Sequence, residues 1–190
     1  MINILFEELP DAVEVSGKFY KIATDFRDWI AFFDMMSDTE IDQKQKMLTA
    51  LTWFSDEIPN NITGAYTALM NFASCSGIKK NPENQEKNSN NSGVPTLSWL
   101  YDSTYVLGAF RQVYNIDLIR VKYMHWWEFS ALFEAMPEET PIKKRIAYRQ
   151  IRLSDIKDKE RRKQIVKIKK AVAFPHEPVS AQKIGEIFSM

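Results

Sequence analysis

Residues 123–140 read YMHWWEFSALFEAMPEET, and the fold turns on where a helix through this stretch can send its paired tryptophans. The segment holds two of the five tryptophans, one of the two histidines and a proline-led acidic stop at Pro137-Glu138-Glu139. Successive helical residues turn by about 100°, so adjacent Trp126 and Trp127 cannot share one apolar seam. Trp126, Phe129, Leu132, Phe133 and Met136 fall on a single core-facing stripe. Trp127 lies roughly 200° from Phe129, beside Tyr123 and Ala131, and makes a second apolar face. The spacing predicts a helix over 123–136 with Trp126 in the core. Trp127, flanked by Tyr123 and Ala131, is then either deeply buried or an anchor for a partner. On the anchor reading Trp127→Ala spares folding and weakens partner binding, whereas Trp126→Ala costs about 3–5 kcal/mol of stability.

Working outward, Pro137 ends that helix, and Thr140 can cap another with Pro141 at its first position and Ile142 and Ile146 inward. Beyond it, a helix capped by Ser154 carries Lys157 to Gln164 without an apolar residue, leaving Ile165, Ile168 and Val172 to anchor it. Upstream, Trp99 to Tyr114 places Trp99, Val106, Phe110 and Val113 on one side, and Asn115-Ile116-Asp117-Leu118 interrupts. Residues 79–96, KKNPENQEKNSNNSGVPT, contain Val94 as their single apolar residue and read as a flexible linker. Before it come Ala12 to Val15 and Phe19 to Ile22 around Ser16-Gly17, a hairpin in which glycine supplies positive φ. A helix capped by Thr24 or Asp25 follows, with Phe26, Trp29, Ile30 and Phe33 at helical spacing. A second helix from Ser37-Asp38 to about Phe54 turns Ile41, Leu48, Leu51 and Phe54 inward. A third, Ile62 to Ser74, buries Tyr66, Leu69 and Phe72 and stops at Gly77.

The sequence therefore predicts a mainly α protein, either one helical bundle or two small helical lobes, with a short N-terminal β-hairpin. Its divisions are a hairpin and three-helix acidic lobe at 1–78, the linker at 79–96, a helical lobe at 97–173 with a basic last helix, and a tail at 174–190. The formal net charge is zero, but it is unevenly spread. Residues 1–78 carry 12 Asp/Glu against 5 Lys/Arg, and residues 143–170 carry 13 Lys/Arg against 3 acidic residues. Head-to-tail association between copies is one electrostatic outcome, and an acidic or polyanionic partner for the basic end is another.

With 45% hydrophobic residues, the chain has ample material for a core. No apolar run approaches the ~18 residues needed to cross a bilayer, and no leader opens the sequence. A single Cys75 excludes an internal disulfide and suits a reducing compartment. The six glycines form neither a phosphate-cradling loop nor a nucleophile elbow. One Cys and two distant His do not assemble a zinc site. His125 and Glu128 can share a helix face, and the reading for His125 is a buried histidine satisfied by that carboxylate or by backbone. His176 lies between two prolines and receives no role. The basic segment Lys157 to Lys170 lacks interleaved aromatics, so its cations suit a solvated helix or a protein-docking arm better than nucleic acid.

Five features together resemble a siphophage protein family: the hairpin followed by Thr24-Asp25-Phe26-Arg27, the turn Tyr114-Asn115-Ile116-Asp117-Leu118, the core His125-Trp126-Trp127-Glu128-Phe129, Pro137-Glu138-Glu139-Thr140, and Arg145 with Arg149. Genes of that family sit just before the tail tape-measure gene in phages and prophages of Gram-positive bacteria. The resemblance spans most of residues 1–172. It implies a tail-assembly chaperone that coats the tape-measure protein until tail tube subunits replace it, acting in the host cytoplasm as a non-enzyme without cofactor. The expected interface residues are Tyr123, Trp127, Ala131, Lys157, Arg161, Arg162 and Lys163. The expected partners are the tape-measure protein, the tail tube protein and further copies of the chain, with no membrane. A structural tail or tail-completion component is the first alternative, and a basic nucleic-acid-binding regulator is the second.

Overall fold

A computed structural model of the chain describes residues 3–77 and 95–175. Most of the expected linker and most of the expected tail, His176 included, lie outside the described residues. The described chain is mainly α-helical, with one two-stranded antiparallel hairpin.

Strands β1 (Ala12–Val15) and β2 (Lys18–Lys21) pair in the register Val13 to Tyr20 and Glu14 to Phe19. Ser16 and Gly17 both take positive φ, the two-residue turn that matches strand twist. Alternation buries Val13 and Val15 and leaves Glu14 and Phe19 on the solvent face.

Helix α1 (Phe26–Ser37) starts where the Asp25 carboxylate accepts from the Arg27 N–H. Helix α2 (Gln43–Ala50) is shorter than the expected run from Ser37 to Phe54. Asp38 closes α1 through its own N–H, and Asp42 provides the new cap by accepting from Gln45 N–H. A 3-10 turn, Leu51–Trp53, follows, and Leu48, expected inward, faces solvent. Helix α3 (Ile62–Ala73) is capped by Asn61, and its expected glycine stop is corrected. Cys75 takes the left-handed conformation, its N–H bonding to Phe72 O while Ser76 N–H bonds to Asn71 O. That is a Schellman ending two residues before Gly77.

Helix α4 (Trp99–Tyr114) matches the expected bounds, capped by Ser98 and closed by left-handed Asn115. Helix α5 (Trp126–Glu134) begins later than expected because His125 takes the N-cap. Helix α6 (Pro141–Gln150) carries Pro141 at its start, but the Thr140 hydroxyl donates to Pro137 O instead of capping it. A 3-10 turn, Leu153–Asp155, contains Ser154, so Asp158 and not Ser154 caps helix α7 (Lys159–Val172).

One cluster of buried residues joins both halves: Trp29, Phe32, Leu69 and Phe72 pack with Phe110, Trp126, Phe129 and Ile142. The backbone joins them as well. Phe26 N–H donates to Met124 O and Trp126 N–H donates to Thr24 O, an antiparallel bridge between residues 25 and 125. Of the two expected architectures, one bundle is what these contacts describe, the aromatic residues of each segment packing on those of the other.

Candidate functional site

The second direction that Trp127 requires is supplied by the C-terminus of α3. Trp127 is 3 % exposed, and its Nε1 donates to Phe72 O at 2.9 Å. Trp126 turns the other way round the helix, yet its Nε1 reaches the next carbonyl, Ala73 O, also at 2.9 Å. Carbonyls in the last turn of a helix lack i+4 partners; one indole satisfies Ala73 O, and the other joins Cys75 N–H on Phe72 O. The positive end of α5 thereby meets the negative end of α3. Trp126 then packs on Phe33, Trp99 and Phe129, while Trp127 packs on Phe72. Gly77 has its reason here: a methyl group at that position would stand 2.5 Å from the Trp127 ring.

His125 fixes the junction. Its Nδ1 accepts from Trp127 N–H at 3.0 Å, so the ring proton sits on Nε2, which faces Pro10 O at 3.1 Å. Burial holds its pKa below the ordinary value, against the opposing pull of Pro10 O and Glu128. With both nitrogens engaged, the ring offers neither a free lone pair nor a free proton. The carboxylate expected to satisfy it, Glu128, contributes charge but no hydrogen bond.

A second joint lies between α4, α6 and α7. Asp102 is fully buried in α4, and Arg149 from α6 forks onto it, Nη1 to Oδ2 at 2.5 Å and Nη2 to Oδ1 at 2.9 Å. Arg145 Nε adds a contact at 3.3 Å, and Ser98 N–H donates to Oδ2. Burial alone would raise the Asp102 carboxyl, but Arg149, Ser98 N–H and Arg145 together take it below the usual carboxylate range. Arg149 spends its remaining donors on Thr96 O and Val172 O, and its guanidinium lies over the Phe174 ring. Lys169 Nζ completes the joint by donating to Arg149 O and Ile151 O, which seats the C-terminal half of α7.

The expected interface residues do not form one surface. Tyr123 precedes α5 instead of belonging to it, and its exposed ring bonds through the hydroxyl to Thr24. Trp127 is core, which corrects its expected role as an exposed anchor, and Ala131 is half-buried. Lys157, Arg161, Arg162 and Lys163 are exposed, the last three on the first turns of α7. Lys163 pairs with Glu160 at 2.8 Å. Sequence reasoning singled out Arg145 and Arg149 as family features but missed their partner Asp102, although Asp102 stands on the apolar stripe of Trp99, Val106 and Phe110, where a carboxylate needs a buried partner.

Chemically, these joints hold the molecule together, and among the described residues every buried side-chain nitrogen and oxygen has a hydrogen-bond partner. Among the described residues no three His, Cys, Asp or Glu side chains converge as metal ligands, and no helix is long and apolar enough to cross a membrane. The motifs that carried the resemblance are the joints themselves: Thr24-Asp25-Phe26 against His125-Trp126, the left-handed Asn115, and Arg145 with Arg149 on Asp102. No curated protein and no solved structure matches the chain. Residues 5–174 match the family described as Bacteriophage Gp15 protein, so the chain belongs to that bacteriophage family.

Proposed function

We propose that this phage protein is a tail-assembly chaperone, binding the tape-measure protein in the host cytoplasm before the tail tube polymerises and performing no catalysis. One observation carries the reading. Leu5, Phe6 and Phe19 stand 81 %, 85 % and 70 % exposed on a chain whose aromatic core is otherwise closed. Large apolar side chains held in water mark binding surfaces, and a long helical partner offers the apolar stripe that such side chains cover. Phe6 and Phe19 thus take the role first assigned to Trp127. Co-expression with the tape-measure protein tests this. Soluble tape-measure protein should increase with the wild-type chain and fall back with Phe6→Ser/Phe19→Ser; equal solubility with and without the chain would sink the reading. Finding the chain in purified virions would favour a structural tail component instead.

The lysines of α7 favour a second reading, a nucleic-acid-binding regulator. Charge-only binding fades at physiological salt, so a gel shift that persists there would support the regulator.

A further inference from the structure

The described chain holds a half-buried cation in excess and a half-buried anion without a partner. The cation belongs to the ionic joint. Asp102 is one carboxylate shared by two guanidiniums, and Arg149 takes both of its oxygens, so Arg145 brings a positive charge that the joint does not balance. Arg145 commits only its Nε to Asp102, lies 4.2 Å over the Tyr105 ring and keeps its side chain 21 % exposed. Its two Nη groups and the Tyr105 hydroxyl have no hydrogen-bond partner among the described residues. Such a fork matches a carboxylate. Asp102 is the only acidic residue of α4, and α6 has none.

Gly108 stands one turn beyond Tyr105 on the same exposed side of α4. Glycine weakens the interior of a helix, and nothing within this copy requires it. Its φ is not positive, and a methyl group there would meet nothing within 4 Å. A longer side chain at 108 would lean back over Tyr105, so the glycine leaves the Tyr105-Arg145 pair open to an approaching backbone.

The anion is Asp34 of α1. Its carboxylate has no hydrogen bond or ion pair among the described residues, and burial, with no charged neighbour contributing, raises its pKa to about 6. Ala31, one turn earlier, is exposed on the same side. Arg27, the single cation of α1, is committed to Asp25, Leu118 O and Val121 O, and Lys46 of α2 is committed to Met36 O. We infer that Asp34 of one copy seats on Arg145 of a second copy, with α1 crossing α4 where Ala31 meets Gly108. Small residues at the crossing let the two axes approach, and Asp34 and Tyr105 each stand one turn, about 4.5 Å, away from it. Both charged groups have already given up much of their water within one copy, so pairing them forfeits little further hydration. The contact uses none of Leu5, Phe6 and Phe19 and is independent of the chaperone reading. Its two surfaces differ, so copies add head to tail unless a ring closes.

Sedimentation velocity of the full chain over about a hundredfold range of concentration tests it. The average mass of the wild type should climb from the monomer to the dimer and beyond. Gly108→Gln, which fills the crossing, and Asp34→Lys, which reverses the anion, should each raise the concentration needed for association by about tenfold or more. Gly108→Gln should also raise the thermal midpoint by about 2–4 °C, because glutamine favours helix and meets no neighbour there. Mixed in equal amounts, the two variants should pair with each other, since one keeps α1 intact and the other keeps α4 and Arg145 intact. A wild-type monomer throughout, a variant that associates like the wild type, a lowered midpoint in Gly108→Gln, or a mixture that stays monomeric would each overturn the inference.

Discussion

Two joints hold this molecule, and they are built from opposite materials. The Trp126-Trp127 junction is aromatic surface with its two polar atoms satisfied by carbonyls at the end of α3. The Asp102-Arg149 joint is a buried charge pair whose remaining donors are satisfied by carbonyls at the start and end of the C-terminal half. In both, backbone carbonyls decide the geometry. The difference lies in what losing one member leaves behind. An aromatic junction that loses a ring keeps a cavity, whereas an ionic joint that loses one partner keeps an uncompensated charge.

The sharpest way to break the comparison is at the ionic joint. Arg149→Met strands the Asp102 carboxylate and should cost about 3–5 kcal/mol, while Asp102→Leu with Arg149→Met should recover most of that loss. Urea denaturation of the single and double variants decides; a double variant as unstable as the single would mean that the charges themselves hold the joint. At the aromatic junction Trp126→Ala and Trp127→Ala should each lose about 3–5 kcal/mol. A Trp127→Ala chain with the wild-type denaturation midpoint would return that ring to the surface. Gly77→Ala tests the same contact from the other side, and crowding against Trp127 should cost about 1–3 kcal/mol.

His125 sets a smaller effect that depends on pH. Unfolded, it takes a proton near its ordinary value of 6.5, and burial lowers that value in the folded state. Between the two the unfolded chain binds more protons, so the contribution of His125 to stability rises with pH and is lost on acidification below 6.5. Asp34 acts in the opposite direction: desolvation raises it from 3.8 to about 6, so its contribution falls as pH rises through that range. The diagnostic quantity is therefore wild type minus His125→Asn, since Asn retains a capping acceptor but cannot titrate. That difference in denaturation midpoint should grow as pH rises through 6.5, and a flat difference would remove His125 from the account. Smallest of all, Lys167→Ala on the exposed side of α7 should change thermal stability by less than about 0.5 kcal/mol, and a larger loss would move α7 into the structural core.

Legibility in the sequence followed the same division. Helix α4 and the hairpin turn were readable because local signals agreed: Ser98 and Asn115 bound an apolar period, and Ser16-Gly17 permits positive φ. Starts of helices were misread where several acceptors competed, as at Asp38 and Asp42, or at Ser154 and Asp158. The start of α5 was missed because histidine is an uncommon cap, and it caps here through a ring nitrogen whose tautomer is set by Pro10 O, far away in sequence. Trp127 misled for a related reason. Helical geometry placed it correctly on a second face, but periodicity carries no information about what a distant element brings to that face. The Asp102-Arg149 pair, 47 residues apart, was half visible: the carboxylate on an apolar stripe announces a partner without naming it.

The bridge between residues 25 and 125 also has a consequence for synthesis. It joins groups 99 positions apart at Met124 N and Asp25 Oδ2, so the first half of the chain exists before its partner does. Phe26 is stacked at 4.8 Å on Phe129, and that cover arrives only after some fifty further residues follow α3. At about 5–20 residues per second the aromatic face of α1, which ends some ninety residues before Phe129, stands open for roughly 5–18 s on every ribosome. A protein whose closed core depends on its own late-made half begins life needing the same protection from water that the proposed function would have it give to another chain.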